Sequence, residues 1–226
     1  MAIYTNPRFQ AAHEKALADW AAADPAARAT VAGCEPTEAG VLVPFFGRPY
    51  LVTHPAGEVA LTPPFAEPGA LCESAAGKPG AGTPVHVSVV ILLLHYLLRA
   101  DGAPADERWL AFRELPEGMF YAQAFAAHAE TTLGALVRDE NETTTARLEG
   151  LRRLSEELGG RPLELGDLSY RFQALPRLAV AVVLWRGDDE EPGEARILFD
   201  ANAHHSLPTE DLAGMGDWLA HTLTRG

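Results

Sequence analysis

The sequence contains few cysteines and few basic residues. Its two cysteines, Cys34 and Cys72, have no C-x-x-C partner, so we predict neither a disulfide framework nor an iron–sulfur cluster held by this chain. Eighteen basic residues against 31 acidic ones give a net charge of −13, which disfavours binding to nucleic acid. Scarce cysteine and an acidic surface are both typical of a cytoplasmic protein.

Long apolar segments are also missing. The most apolar run, residues 85–98, is shorter than the about 20 residues that span a bilayer, and it carries His86 and His95. The N-terminus lacks a basic segment followed by an apolar one, so we predict neither a signal peptide nor a membrane partner. Motifs typical of hydrolases, kinases and dehydrogenases are absent as well: G-x-S-x-G, the P-loop, G-x-G-x-x-G and H-E-x-x-H.

An ordinary globular composition, with 47% hydrophobic and 22% charged residues, predicts a single domain over residues 1–226. Within it we expect an N-terminal helix and hairpin part at 1–61, a Pro/Gly-rich loop at 62–84, and a main body at 85–226. The loop has little to bury. Both a functional lid and a plain surface insertion are consistent with it.

In the N-terminal part, helical spacing of apolar residues predicts a helix over 8–20. A second, short helix is predicted with Asp24 as its N-cap, Pro25 at its first position and Gly33 at its end. Residues 40–54 predict a hairpin around a Gly-Arg-Pro turn, and residues 59–61 a short third strand.

In the main body we predict an apolar core helix at 85–99, a short strand at 109–113, and helices at 118–137, at 142–158 and from Pro208 onwards. Strands are predicted at 168–175, 178–185 and 195–199, and the second of these is nearly all apolar, as expected for the centre of a sheet. Because helices and strands are segregated, we predict an α+β fold. Its antiparallel strands are a C-terminal three-strand meander and the N-terminal hairpin, which either extends the same sheet or forms a small separate one, and they are packed with about five to six helices.

Five segments, in this order along the chain, resemble the domain of unknown function 3786 family: LLLHYLLRADG (92–102), FRELPEGMFYAQAF (112–125), LGGRPLELGD (158–167), LPRLAVAVVLWRGDDEEP (175–192) and ARILFDANAHHSLPTEDL (195–212). The resemblance implies an uncharacterised protein of bacteria and archaea, many of them anaerobes, with no established catalytic residues. Some members look like fusions to an iron–sulfur domain, for which this chain lacks the cysteines. A link to corrinoid or one-carbon metabolism is a loose expectation from the same resemblance.

Polar residues cluster where the last predicted strand meets the final helix, at Asp200, Asn202, His204 and His205. A helix start offers free N–H groups to an anionic ligand, and Asp with His is also able to bind a divalent metal. In the third interpretation, Asp200 and Asn202 satisfy backbone donors in a tight connection. Adjacent histidines on a strand point in opposite directions, so we expect at most one of the two to be a ligand.

For other polar residues, both a structural role and a functional one are consistent with the sequence. Asp188, Asp189, Glu190 and Glu191 form a solvated hairpin turn or, alternatively, a cation site. His95 is predicted to be a buried histidine with one hydrogen bond, and Arg177 to form a structural ion pair. Arg113, Glu114 and Tyr121 flank a glycine turn and are placed to line a pocket.

The leading functional hypothesis is a cytoplasmic accessory or binding protein for a small polar or anionic ligand or cofactor. Its ligand-binding residues would be Asp200, Asn202, His204 and His205, with contributions from His95, Tyr121 and Arg177. One alternative is an enzyme that uses His204 or His205 for acid/base chemistry or metal binding, with Asp200 as the orienting group. The other is a protein-interaction module without a chemical site. The cofactor and the oligomeric state stay open.

Overall fold

The computed structural model describes residues 7–62, 85–138, 142–187 and 191–225. The chain divides into two compact units. The first unit comprises Met1–Ala103, Leu175–Arg177 and His205–Leu207, and the second comprises Pro104–Ala174, Leu178–His204 and Pro208–Gly226. Each combines helices with an antiparallel sheet, which confirms the α+β prediction. A single domain over 1–226 stays a prediction, and the 62–84 loop lies almost entirely outside the described residues.

The first unit contains three helices, α1 (Pro7–Ala21), α2 (Pro25–Ala32) and α3 (Val87–Arg99). The Asp24 side chain accepts hydrogen bonds from the N–H groups of Ala26 and Ala27, and Gly33 ends α2 with a left-handed φ of 70°. The predicted caps of this helix are therefore confirmed. The apolar sequence of α3 is explained by its burial, which includes Leu93, Leu94 and Leu97.

The sheet of the first unit has four antiparallel strands in the order β1-β2-β3-β4, with β1 at Glu35–Thr37, β2 at Gly40–Phe45, β3 at Arg48–Thr53 and β4 at Val59–Leu61. The predicted N-terminal hairpin is thus part of its own sheet. Its turn lies at Phe46 and Gly47, both with left-handed φ, one residue before the predicted Gly-Arg-Pro turn. A two-residue turn of this kind matches the twist of the two strands.

The helices of the second unit are α4 (Gly118–Phe125), α5 (Thr131–Gly134), α6 (Glu142–Glu157) and α7 (Thr209–Leu223). A π-helical turn, Ala126–Glu130, connects α4 to α5, so the helix predicted at 118–137 contains an irregularity and ends earlier. Such turns are frequent at functional sites because the widened backbone displaces side chains from regular helical positions.

The sheet of the second unit has the strand order β5-β9-β8-β7-β6. The strands are β5 (Trp109–Ala111), β6 (Arg161–Pro162), β7 (Leu168–Leu175), β8 (Leu178–Trp185) and β9 (Glu194–Asp200). The apolar strand β8 is the central one, as predicted, and every residue in it is buried except Trp185, which is 40% exposed. Among the described residues, no helix is long and apolar enough to cross a membrane.

Candidate functional site

Asp200, at the end of β9, is fully buried, and its carboxylate accepts hydrogen bonds from three backbone N–H groups. The donors are Asp106 at 2.9 Å, Glu107 at 2.6 Å and Asn202 at 2.9 Å. Charge-assisted bonds to a buried carboxylate are strong, and here they fasten the segment before β5 to the end of β9. This is the arrangement expected if Asp200 satisfies the backbone of a tight connection.

Asn202 and His204 also bond to the backbone in this part of the second unit. The amide nitrogen of Asn202 donates to the carbonyl of Pro104 at 3.0 Å. Nδ1 of His204 lies 3.1 Å from the carbonyl oxygen of Ala201, which can only accept, so this nitrogen carries the proton. His204 is otherwise exposed.

His205 belongs to the first unit, where its Nδ1 lies 2.6 Å from Oδ2 of Asp101. The N–H of Asp101 in turn donates to the carbonyl of His205 at 3.2 Å. The backbone N–H of Ala103 and then the His205 side chain lower the pKa of Asp101 from its usual value. The two adjacent histidines therefore have different partners, in different units. Their roles as ligands stay predictions.

Arg177 caps the end of α2 in the first unit rather than pairing with an acid there. Its Nε donates to the carbonyl of Val31 at 2.7 Å, and its backbone N–H donates to the hydroxyl of Tyr96 at 3.1 Å. The Tyr96 hydroxyl donates to the carbonyl of Ala32 at 2.6 Å. These bonds satisfy carbonyls that a helix end leaves without internal partners. His95, which we predicted to be buried, is half-buried, whereas its neighbour Tyr96 on α3 is fully buried.

Cys34 lies beside this cap, and burial raises the pKa of its thiol to about 12, although the charge of Arg177 acts in the opposite direction. A thiol that stays protonated at neutral pH is a poor nucleophile and a poor metal ligand. The described residues contain no group of three or more His, Cys, Asp or Glu side chains able to hold a metal ion. Of the predicted acid cluster, Asp188, Asp189 and Glu190 lie outside the described residues, and Glu191 is exposed.

Tyr121 lies on α4 and is one of three consecutive exposed apolar or aromatic residues. Met119 is 71% exposed, Phe120 86% and Tyr121 40%. Arg113 is exposed as well, in the 3₁₀ turn Phe112–Glu114. Glu114, which was predicted to line a pocket together with Arg113 and Tyr121, instead accepts a hydrogen bond from the N–H of Ala111 through its carboxylate, at 2.7 Å. Arg113 and Tyr121 line two different clefts.

Two of the clefts in the second unit meet at the π-helical turn, and we refer to them together as the arginine cleft. One has a volume of about 310 Å³ and includes Arg113, Gln123 and Phe112 in its lining. The other, of about 270 Å³, includes Arg138. Both are bordered by Ala126, Glu130 and Arg196.

Glu130 and Arg196 form the ion pair that separates the two parts of the arginine cleft. Nη1 of Arg196 lies 3.0 Å from Oε2 of Glu130, whose side chain is only 11% exposed. The other carboxylate oxygen of Glu130 accepts the N–H of Ile197 at 3.3 Å, and Nη2 of Arg196 lies 3.3 Å from Glu194. Arg196 is thus held between two acids. In contrast, neither Arg113 nor Arg138 forms an ion pair with any residue that the structure describes.

A third cleft, of about 300 Å³, lies between α4 and α7, and we call it the α4–α7 cleft. It is lined by Tyr121, Ala124, Phe125, His128, Ala213, Gly214 and Asp217. The sequence predicted a site at Asp200 because several acidic residues and histidines lie close together there. It gave no sign of Arg196, His128 or Asp217 as site residues, which lie on β9, in the π-helical turn and on α7 respectively, each among residues of ordinary composition. Among the residues that line these clefts, the sequence predicted a pocket position only for Arg113 and Tyr121.

The fold and these clefts define an α+β protein with two antiparallel sheets among the described residues. The family model described as Domain of unknown function (DUF3786) matches residues 71–222, more than half of the chain. The chain belongs to this family, which confirms the resemblance seen in its sequence. No function is assigned to the family by that description. No curated protein matches the chain, and no solved structure does.

Proposed function

We propose that this protein binds a small organic anion in the arginine cleft and acts as a binding or accessory protein. The observation that carries the proposal is the exposed Arg113 guanidinium, which has no ion-pair partner among the described residues and lies on the wall of a concave site. Arginine presents a planar fork of donors that matches a carboxylate or phosphate. A cationic wall is also unusual on a chain with a net charge of −13.

The ligand's apolar part is indicated by the aromatic residues beside Arg113. The rings of Phe112 and Phe125 stack with their centroids 4.2 Å apart and their planes at 18°, and both residues line this part of the cleft. The amide of Gln123 adds a donor and an acceptor to the same wall. A carboxylate attached to a flat apolar group satisfies all three features, and a bare inorganic anion satisfies only the first.

The proposal is tested with benzoate as the probe and benzamide as its neutral counterpart, by following amide chemical shifts of the full chain. We expect benzoate to shift resonances of Arg113, Gln123 and Ala126, and benzamide to bind about tenfold more weakly or not at all. Arg113→Ala should weaken benzoate binding by roughly tenfold, and Arg113→Lys should recover only part of it because lysine lacks the fork geometry.

Arg153→Ala is the matched control, since this exposed arginine on α6 lies outside the arginine cleft and is 3.9 Å from Glu157. It should bind benzoate as the wild type does. Equal binding of benzoate and benzamide, or an equal loss in both arginine variants, would overturn the proposal. Shifts confined to Asn202 and His204 would instead favour the ligand site predicted at that junction.

We propose further that the protein works in the cytoplasm as a single α+β domain, without nucleic-acid or membrane partners. Its acidic net charge and its two cysteines support this location. Fractionation of the native organism's cells tests it, and recovery in a membrane or secreted fraction would contradict it.

A second candidate function, a protein-interaction module, is supported by the exposed row Met119, Phe120 and Tyr121, because apolar side chains grouped at a surface are typical of interfaces. If two copies associate through this row, the molar mass measured by light scattering should be that of a dimer for the wild type and that of a monomer for Phe120→Ser. A monomeric wild type would contradict self-association.

A further inference from the structure

The α4–α7 cleft combines apolar walls with a few polar groups at its edge. Its first wall follows α4 and the π-helical turn after it, with Tyr121, Ala124 and Phe125 on the helix and His128 in the turn. Its α7 wall consists of Ala213, Gly214 and Asp217. A concave, mainly apolar site with a few polar groups is the usual form of a small-molecule site.

Gly214 keeps one wall of this cleft open although the packing does not require a glycine there. A Cβ atom built on Gly214 meets no atom within 4 Å, whereas a Cβ on Gly216, two residues later, would come within 2.7 Å of the Phe125 ring. Gly216 is therefore explained by close packing. Glycine inside a helix lowers stability, so Gly214 needs another explanation, and space for a ligand supplies it.

Asp217 places a carboxylate at the same cleft. Its Oδ1 atom is buried and accepts no hydrogen bond from any residue that the structure describes. The nearby Nε2 of His221 is 3.6 Å away, beyond hydrogen-bond range, and forms an ion pair with this oxygen only when the imidazole is protonated. One oxygen of the carboxylate is therefore withdrawn from water without a hydrogen bond while the side chain as a whole stays partly exposed, and a positive charge in the cleft would be favourable beside it.

The other two polar side chains of the cleft have their hydrogen-bonding groups available. Neither the Tyr121 hydroxyl nor the His128 imidazole forms a hydrogen bond with a described residue. The faces of aromatic rings attract cations, so Tyr121, which is 40% exposed, adds to the preference that Asp217 creates.

We propose that the α4–α7 cleft binds a small organic cation, an ammonium group attached to an apolar body, with Asp217 as its counter-charge. The apolar part would lie against Phe125 and the open wall at Gly214. This site is separate in chemistry from the arginine cleft and does not depend on the function proposed for it.

Benzylamine, which is a cation at neutral pH, tests the proposal against its neutral counterpart benzyl alcohol. Followed by amide chemical shifts of the full chain, benzylamine should perturb Tyr121, His128 and Gly214, and benzyl alcohol should bind at least about tenfold more weakly. Asp217→Asn should remove this preference, whereas the exposed Asp19→Asn on α1 should leave it unchanged. Asp217→Asn is expected to fold, because the side chain is partly exposed and the amide keeps its size.

Gly214→Leu provides a second, steric test, since its side chain enters open space in the cleft and the helix gains a better helix former. Benzylamine binding should be lost while the amide spectrum elsewhere stays that of a folded protein, and Arg113→Ala should bind benzylamine normally. The proposal is overturned by absence of benzylamine binding, by binding that survives Asp217→Asn, or by binding that Gly214→Leu does not affect. Shifts spread over the acidic surface and removed by salt would also overturn it, as nonspecific attraction.

Discussion

Asp200 and Asp217 belong to the same unit, and their carboxylates have opposite surroundings. Asp200 is fully buried and accepts three backbone N–H groups, whereas Asp217 is partly exposed and has one buried oxygen without a hydrogen bond from the described residues. The first lies where acids and histidines are dense in the sequence, and the second lies among apolar and small residues of α7.

This difference shows that the density of polar residues in a sequence does not reveal which of them the fold supplies with hydrogen-bond partners. A polar cluster at a strand end is often needed to satisfy the backbone of the connection itself. A polar side chain that the fold leaves without a partner, beside a concave surface, is a stronger indication of binding, because a bound group would remove the cost of desolvation. The following predictions test this contrast, beginning with the largest expected effect.

The largest effect is expected for Asp200→Asn. The amide places an NH₂ group against backbone donors and removes the charge that strengthens three hydrogen bonds, so the free energy of unfolding should fall by about 3 kcal/mol or more. Urea denaturation measures this. Asp217→Asn is the comparison and should change the value by less than about 0.5 kcal/mol or raise it. Similar losses in both variants would contradict the contrast.

Arginines with and without partners should differ in the same way. Arg177→Ala removes the donor to the Val31 carbonyl, and we expect it to cost about 2 kcal/mol in chemical denaturation. Arg113→Ala should leave the free energy of unfolding within about 0.5 kcal/mol of the wild type, because its guanidinium makes no ion pair with a described residue. If Arg113→Ala destabilises the protein as much as Arg177→Ala does, Arg113 has a structural role instead of a binding one.

The two glycines of α7 should respond to alanine in opposite directions. Gly216→Ala puts a methyl group against the Phe125 ring and should lower the free energy of unfolding by about 1–2 kcal/mol. Gly214→Ala meets no neighbour and should raise it by up to about 1 kcal/mol through helix propensity. Thermal unfolding of the two variants, monitored by circular dichroism, measures both changes. A destabilised Gly214→Ala would mean that this wall of the cleft is already filled.

The smallest effect concerns the exposed pair of Asp101 and His205. Because the folded state lowers the pKa of Asp101, its contribution to stability is present above the pKa of the unfolded chain and is lost as the pH falls through the lower, folded value. Urea denaturation at pH 5 and pH 3 should therefore show a slightly larger loss for the wild type than for Asp101→Asn. Parallel losses in the two proteins would show that this pair does not contribute.

The elements that the sequence predicted well are those with a strong periodic or compositional signal. The apolar run at 178–185 correctly indicated the central strand β8, and Asp24 with Gly33 correctly bounded α2. Two strands were missed, β1 and β6, because each has only two or three residues and contains a proline. The π-helical turn at 126–130 has no sequence signal either, since Ala-Ala-His-Ala-Glu is ordinary helical composition.

The candidate clefts were less predictable for a physical reason. Arg113 and Arg196 are more than 80 residues apart in the chain, and long-range contacts such as the pairing of β5 with β9 bring their segments together. Whether a charged side chain has a partner is a property of such long-range contacts. In contrast, the local sequence correctly predicted Asp24 as the N-cap of α2, because both N–H groups that donate to its carboxylate lie within three residues of it.

The first unit includes Leu175–Arg177 and His205–Leu207, two short segments far along the chain from Met1–Ala103. A gene fragment ending at residue 103 would therefore lack Arg177 and leave the carbonyl of Val31 without its donor. The family match, which begins at residue 71, likewise includes α3 but not α1, α2 or the four-stranded sheet. Each of these two boundaries therefore divides the first unit, and we expect a piece of the gene cut at either one to encode a less stable product than the full chain.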